Sequence, residues 1–91
     1  MYLIADGGAT KTDWALVNNN IITARIYTTG MNPFQASEEI IENIIQKELL
    51  PQLPEEAKGP DIFFYGAGCT PEKCFIMENL LRKAFPMSKN I

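Results

Sequence analysis

A mixed α/β fold is predicted for this chain by three observations. Residues 1–29 hold three apolar or alternating stretches joined by turn-forming residues. Residues 32–50 and 70–85 change to a helical repeat, and a six-residue apolar run, "DIFFYG", lies between them. Period two reads as strand and period near four as helix, so the order is β-β-β-α-β-α.

"MYLIAD" is a short apolar run that ends in an acid, as a buried strand ends at a site. "TDWALVN" alternates, with Trp14, Leu16 and Asn18 on one face and Asp13, Ala15 and Val17 on the other. "NNN" at 18–20 marks a turn, because asparagine tolerates left-handed backbone angles. "IITARIYTT" is rich in β-branched residues and alternates again, so three strands in succession read as an antiparallel meander.

In the next stretch Ile41, Ile45 and Leu49 recur at four-residue steps, with Ile40 and Ile44 beside them, giving a helical apolar stripe. Two starts compete. Asn32 followed by Pro33 and Gln35 has capping-box character, and Ser37 followed by Glu38 and Glu39 is the later option. Pro51 and Pro54 close the helix, and the polar segment after them reads as a solvated loop. After "DIFFYG" and the loop "GAGC", Thr70-Pro71-Glu72 opens a second helix. Its buried stripe runs through Met77, Leu81 and Ala84 or Phe85 to Pro86, and "KNI" reads as the start of another strand. A helix between the third and fourth strands lets the fourth run parallel to the first, so the sheet is expected to be mixed and covered by the helices.

Composition narrows the function. The chain has 91 residues, 46% of them apolar and 21% charged, enough for one small domain and unlike a disordered segment. No apolar stretch approaches the roughly 20 residues of a bilayer crossing, and nothing at the start reads as a secretion signal, so a cytoplasmic location is expected. A net charge of −3 with scattered basic residues argues against a nucleic-acid surface. With no histidine, a general base would have to be a carboxylate, Lys, Tyr or Cys. Cys69 and Cys74 are too few for a disulfide framework or a four-sulfur metal site and read as a reduced, partly buried pair.

The chemistry concentrates in "ADGGATKTDW", residues 5–14. Adjacent glycines let a backbone approach a ligand closely and can leave successive N–H groups pointing into one concavity, a seat for anions. Thr10 and Thr12 offer hydroxyls and Lys11 a point charge. Asp6 would repel bare phosphate and becomes useful with Mg²⁺ between them, directly or through water. The bland alternative, a polar glycine-rich hairpin turn, is of equal standing on composition alone. Two familiar nucleotide motifs fail: the P-loop needs glycine where Thr10 stands, and the dinucleotide fingerprint needs glycine where Pro71 stands.

"IADGGATKTDWALV" closely resembles the first phosphate-binding motif of the actin/sugar kinase/Hsp70 ATPase superfamily, and within it the N-acetylglucosamine kinase branch grouped with the BadF/BcrA-type ATPases. "TTGMNPF", "FFYGAGC" and "RKAFP" resemble the segments that follow in that branch, in the same order. The resemblance implies a ribonuclease H-like (actin-like ATPase) fold, of which residues 1–91 would be part of the N-terminal lobe, incomplete at the C-terminus. It implies that ATP and Mg²⁺ bind between two lobes, with Asp6 near the metal and Gly7, Gly8, Ala9, Thr10, Lys11 and Thr12 around the phosphates. Asn32 would face an amino sugar, and Gly66, Ala67 and Gly68 would line the cleft near it. The family's catalytic aspartate would lie beyond Ile91, so no catalytic residue is expected here and the segment alone should be inactive.

The expected partners are therefore an amino-sugar substrate and the C-terminal lobe of the same chain, with neither nucleic acid nor membrane. Two further readings stay open. An activator-type ATPase of the BadF/dehydratase-activator group would need cluster-binding cysteines elsewhere. A non-catalytic phosphate- or protein-binding module would expose a strand edge and should form homodimers or aggregate.

Overall fold

A computed structural model describes residues 1–8, 10–32, 36–54, 57, 59–66, 70–88 and 91. Strand β1 (Tyr2–Gly7) is followed by β2 (Lys11–Asn18) and β3 (Ile21–Thr29), helix α1 (Glu38–Ile44), β4 (Asp61–Gly66) and helix α2 (Pro71–Ala84). The sheet order is β3-β2-β1-β4. β1 pairs antiparallel with β2 and parallel with β4, so the sheet is mixed and the β-β-β-α-β-α order is the one expected.

Local chemistry explains the boundaries. Asn19 and Asn20 carry φ of 53° and 64°, the two left-handed angles that a two-residue turn between β2 and β3 requires. Of the two competing helix starts, Ser37 is the cap of α1: its Oγ accepts from the Ile40 N–H at 3.3 Å. The other start is only partly described, since Pro33 and Gln35 lie outside the described residues; the Asn32 carbonyl accepts from the Ala36 N–H at 2.9 Å. α1 continues into a π-helical turn at Ile45–Leu49 and a 3₁₀ turn at Leu50–Gln52. Pro51, which has no N–H to donate, sits in that last turn, where the helical segment ends. α2 begins as expected, with Thr70 Oγ1 accepting from the Lys73 N–H and Pro71 in the first turn. The final "KN", Lys89 and Asn90, lies outside the described residues.

Strand alternation sorts the side chains to two faces. Leu3, Ala5, Trp14, Leu16, Ile26 and Ile62 are buried under the helical segments, which contribute Ile41, Ile44, Ile45, Leu49, Met77, Leu80 and Leu81. Full burial of each Leu, Ile or Met side chain among them is worth about 1.5–3 kcal/mol. Ile40, which lies beside the predicted stripe, is 53% exposed. The opposite face carries Tyr2, Ile4, Tyr27, Phe63 and Tyr65, all partly exposed. Tyr2 and Phe63 are ring neighbours there, with centroids 5.8 Å apart.

The central polar contact of the core is a short relay. The Trp14 indole N–H donates to Thr28 Oγ1 at 3.1 Å, and that hydroxyl donates to the Thr29 carbonyl at 3.2 Å. Among the described residues no buried side-chain nitrogen or oxygen lacks a partner. Thr28→Val would leave the indole N–H buried without an acceptor, at a cost of about 1–3 kcal/mol. Urea unfolding followed by the fluorescence of Trp14, the single tryptophan, should show the loss. An unchanged midpoint would mean that the relay contributes nothing.

Candidate functional site

The acid-glycine-threonine-lysine segment lies at one end of the sheet. β1 and β4 run parallel and both finish there, with Gly7 paired to Gly66. The turn that leaves β1 enters β2 at Lys11, and β3 finishes beside it, Lys11 being paired with Thr29. The Gly8 N–H donates to the Lys11 carbonyl at 2.9 Å, closing the turn, and the Gly30 N–H donates to the Thr10 carbonyl at 3.1 Å. The turn is thus braced from two sides by backbone.

Strand parity divides its side chains. Asp6, Lys11 and Asp13 alternate onto the open face, while Thr12 is fully buried on the helix-covered face. The Thr12 hydroxyl approaches the Thr29 carbonyl at 3.5 Å. Thr10 is exposed and Gly8 half-buried. In this conformation Asp6, Thr10 and Lys11 are open to water, whereas the Gly8 amide is engaged within the turn and the Thr12 side chain faces the core. Ala9, Ala67 and Gly68 lie outside the described residues. Asn32 is half-buried, two residues after Gly30.

Register adds residues that the linear sequence did not single out. Asp13 is the cross-strand partner of Asp6, so two carboxylates share one face. Arg25 Nη1 lies 3.6 Å from Asp13 Oδ2 and offsets part of that charge. The pair is solvent-exposed and contributes little to stability. Lys11 Nζ sits 5.4 Å from the centre of the Tyr27 ring, a cation–π contact on the open face. Only the pairing of β2 with β3 reveals this neighbour, because sixteen residues separate the two in the chain.

Gly7 and Gly66 have a packing reason to be glycine. A Cβ on Gly7 would come within 3.0 Å of Phe64 Cζ, and one on Gly66 would collide with Phe64 Cε1. The Phe64 ring therefore lies against both strand ends, 6.1 Å from the Trp14 ring. Phe64 also lines a cleft of about 320 Å³ with Pro71, Phe75, Glu78, Leu81 and Ile91. None of the described residues of the Asp6–Lys11 turn lines that cleft. The candidate site therefore rests on its chemistry and not on that cleft.

The cysteine expectation is corrected. Cys74 is disulfide-bonded, and no free thiol is found among the described residues. Cys74 is exposed on α2. Cys69 lies outside the described residues. Among the described residues no three or more His, Cys, Asp and Glu side chains gather as a metal cluster. No described helix is long and apolar enough to cross a membrane.

If packing alone requires glycine at Gly66, Gly66→Ala should cost about 1–3 kcal/mol. Phe64→Leu introduced into the same chain should recover part of the loss, measured as urea midpoints. A neutral Gly66→Ala would mean that the ring yields easily and the glycine has another purpose.

No protein-family model matches the chain, and no curated protein does. A solved structure does match: one named "Putative N-acetylglucosamine Kinase", from Porphyromonas gingivalis, at 37% identity and a TM-score of 0.94. The match covers 100% of this chain and 32% of that one, so the chain spans about a third of the length of its structural relative. The resemblance to the N-acetylglucosamine kinase branch carried by the motifs is therefore a likeness of sequence and of fold together.

Proposed function

We propose that this chain is the N-terminal part of an ATP-dependent kinase acting on N-acetylglucosamine or a related amino sugar. It would supply the first phosphate-binding turn and part of the sugar site. The observation that carries the reading is the likeness, over the whole chain, to a structure bearing a kinase name. The chemistry at the end of the sheet agrees with it.

MgATP makes two demands that can be checked against the turn. An acid must be reachable by a hydrated cation, and donors must stand close by for phosphate oxygens. Asp6 is exposed at the end of β1, while Thr10 and Lys11 are exposed on the same turn. The donor set fits. Asp6 would hold Mg²⁺ directly or through water, and Lys11 would leave Tyr27 to meet a phosphate. The exposed cation–π contact it gives up is worth only about 0.5–1 kcal/mol. The Gly8 amide could contribute only if the turn opened, because it now donates to the Lys11 carbonyl. When bound, the metal would neutralise charge on the phosphates, and the rest of the chemistry is positioning and electrostatic stabilisation.

Asn32 lies just beyond the end of β3 and would face the sugar from the other side of the Gly30 segment. In this reading the base that takes the proton from the sugar hydroxyl, and the adenosine site, belong to a second lobe. Closure of the two lobes would exclude water from the transfer. The reading goes with a cytoplasmic location, where ATP is supplied.

Two outcomes test it. Asp6→Asn should weaken binding of a non-hydrolysable ATP analogue about tenfold or more with Mg²⁺ present and little without it, read by calorimetry. Equal loss in both conditions would remove the metal role. The 91-residue chain mixed with MgATP and N-acetylglucosamine should form no sugar phosphate, since no base is assigned within it. Measurable transfer would overturn the two-lobe account.

A further inference from the structure

Strand β3 is an edge strand, and at its C-terminal end the outer side is met by polar side chains. In the β2–β3 register Thr28 faces its partner Thr12, and the Tyr27 carbonyl and the Thr29 N–H turn outward. Both are met by side chains from the segment that follows α1. Glu48 Oε1 accepts from the Thr29 N–H at 2.9 Å and lies 3.0 Å from the Thr29 hydroxyl, which is also 3.0 Å from Oε2. Gln52 Nε2 donates to the Glu48 carbonyl at 2.7 Å and reaches the Tyr27 carbonyl at 3.5 Å. Glu48 stands on the π-helical turn, and Leu49 beside it is fully buried, so the carboxylate is delivered from a fixed support.

Thr29 is the residue on which the turn leans. It pairs with Lys11, its carbonyl receives the hydroxyls of Thr12 and Thr28, and the next residue, Gly30, donates to Thr10. Gly30 is also buried. Two residues later comes Asn32, whose carbonyl holds Ala36 ahead of α1. The end of β3 is thus a splint between the phosphate-side turn and the sugar-side segment, and Glu48 is the side chain that fastens it.

We infer that Glu48 is a positioning residue: by fastening Thr29 it sets the conformation of the Thr10–Lys11 turn that receives phosphate. The phosphate part of this statement rests on the kinase reading above. The fastening itself does not. Glu48 touches neither phosphate nor sugar and acts through Thr29 and Gly30. A carboxylate suits the position because it can accept from the amide and the hydroxyl of one residue at once, and bonds to a charged acceptor are the stronger kind.

The test compares Glu48→Ala, Glu48→Gln and Glu42→Ala with the parent chain. Glu42, earlier on the same helical segment as Glu48, pairs with Lys83 of α2 at 3.0 Å, so it controls for general loss of stability. Amide exchange by NMR should be about tenfold faster at Thr29 and Gly30 in Glu48→Ala, measured relative to Leu3 and Ala5 in the same sample. Glu48→Gln keeps one acceptor oxygen and should recover much of the protection. Glu42→Ala should leave the ratio unchanged. Exchange at Gly30 that changes no more than exchange at Leu3 would overturn the inference.

The second arm uses magnesium tripolyphosphate as the probe, with affinity expected to fall about fivefold in Glu48→Ala and less in Glu48→Gln. If the parent chain does not bind the probe, the phosphate reading fails while the exchange result still decides whether Glu48 fastens the turn. If the parent and Glu48→Ala bind equally although Gly30 has loosened, the positioning role is refuted.

Discussion

The parallel pairing of β1 with β4 is the constraint on which the rest depends. It requires the chain to leave β3, cross the sheet as a helix and return in the direction of β1. That crossing places α1 and its π-helical continuation over Leu3, Ala5, Trp14 and Leu16, and so decides which face of the sheet is core. It also brings two strand ends, Gly7 and Gly66, side by side. The Phe64 ring rests against both, so the backbone at that end of the sheet is bare of side chains because an aromatic ring occupies the space behind it.

From this follows the character of the turn after β1. Its polar groups do not form one uniform cluster. Strand parity sends Asp6, Lys11 and Asp13 to the open face and Thr12 to the core, and the turn closes on itself through Gly8 and Lys11. Like charges at Asp6 and Asp13 face each other across two strands, with Arg25 attending only Asp13. Lys11 lies over Tyr27 and does not neutralise either acid among the contacts found. Such an arrangement leaves the Asp6 carboxylate open to water. Among the described residues from Gly7 to Thr12, the side chains of Thr10 and Lys11 are open to water and that of Thr12 is buried.

Much of the fold was legible in the sequence because its signals are local. The alternation of "TDWALVN", the Asn-Asn turn and the Thr70-Pro71 helix start each act within a few residues, and each appears where the sequence put it. The choice between Asn32 and Ser37 as the first helix start was not legible, since both residue types satisfy capping chemistry and a helix begun at either would carry Ile41 and Ile44 on the same face. The π-helical turn was also hidden, because no residue type demands an extra residue in a turn. Of the candidate site, Asp6 and Lys11 stood out by type. Asp13, Tyr27, Glu48 and Phe64 matter through register and packing, which link positions far apart in the chain. The reduced thiols expected from the cysteine count gave way to a disulfide at Cys74, whose exposure the spacing of two cysteines could not convey.

The central claim is that the turn between β1 and β2 receives a metal–phosphate group. The most direct measurement is an NMR titration of the unmodified chain with the Mg²⁺ complex of a non-hydrolysable ATP analogue, followed through its backbone amides. The account predicts that Gly7, Gly8, Thr10 and Lys11 shift first and furthest, with Gly30 following, while amides of α2 stay in place. Shifts confined to the cleft beside Phe75, or none at the turn at saturating complex, would contradict it.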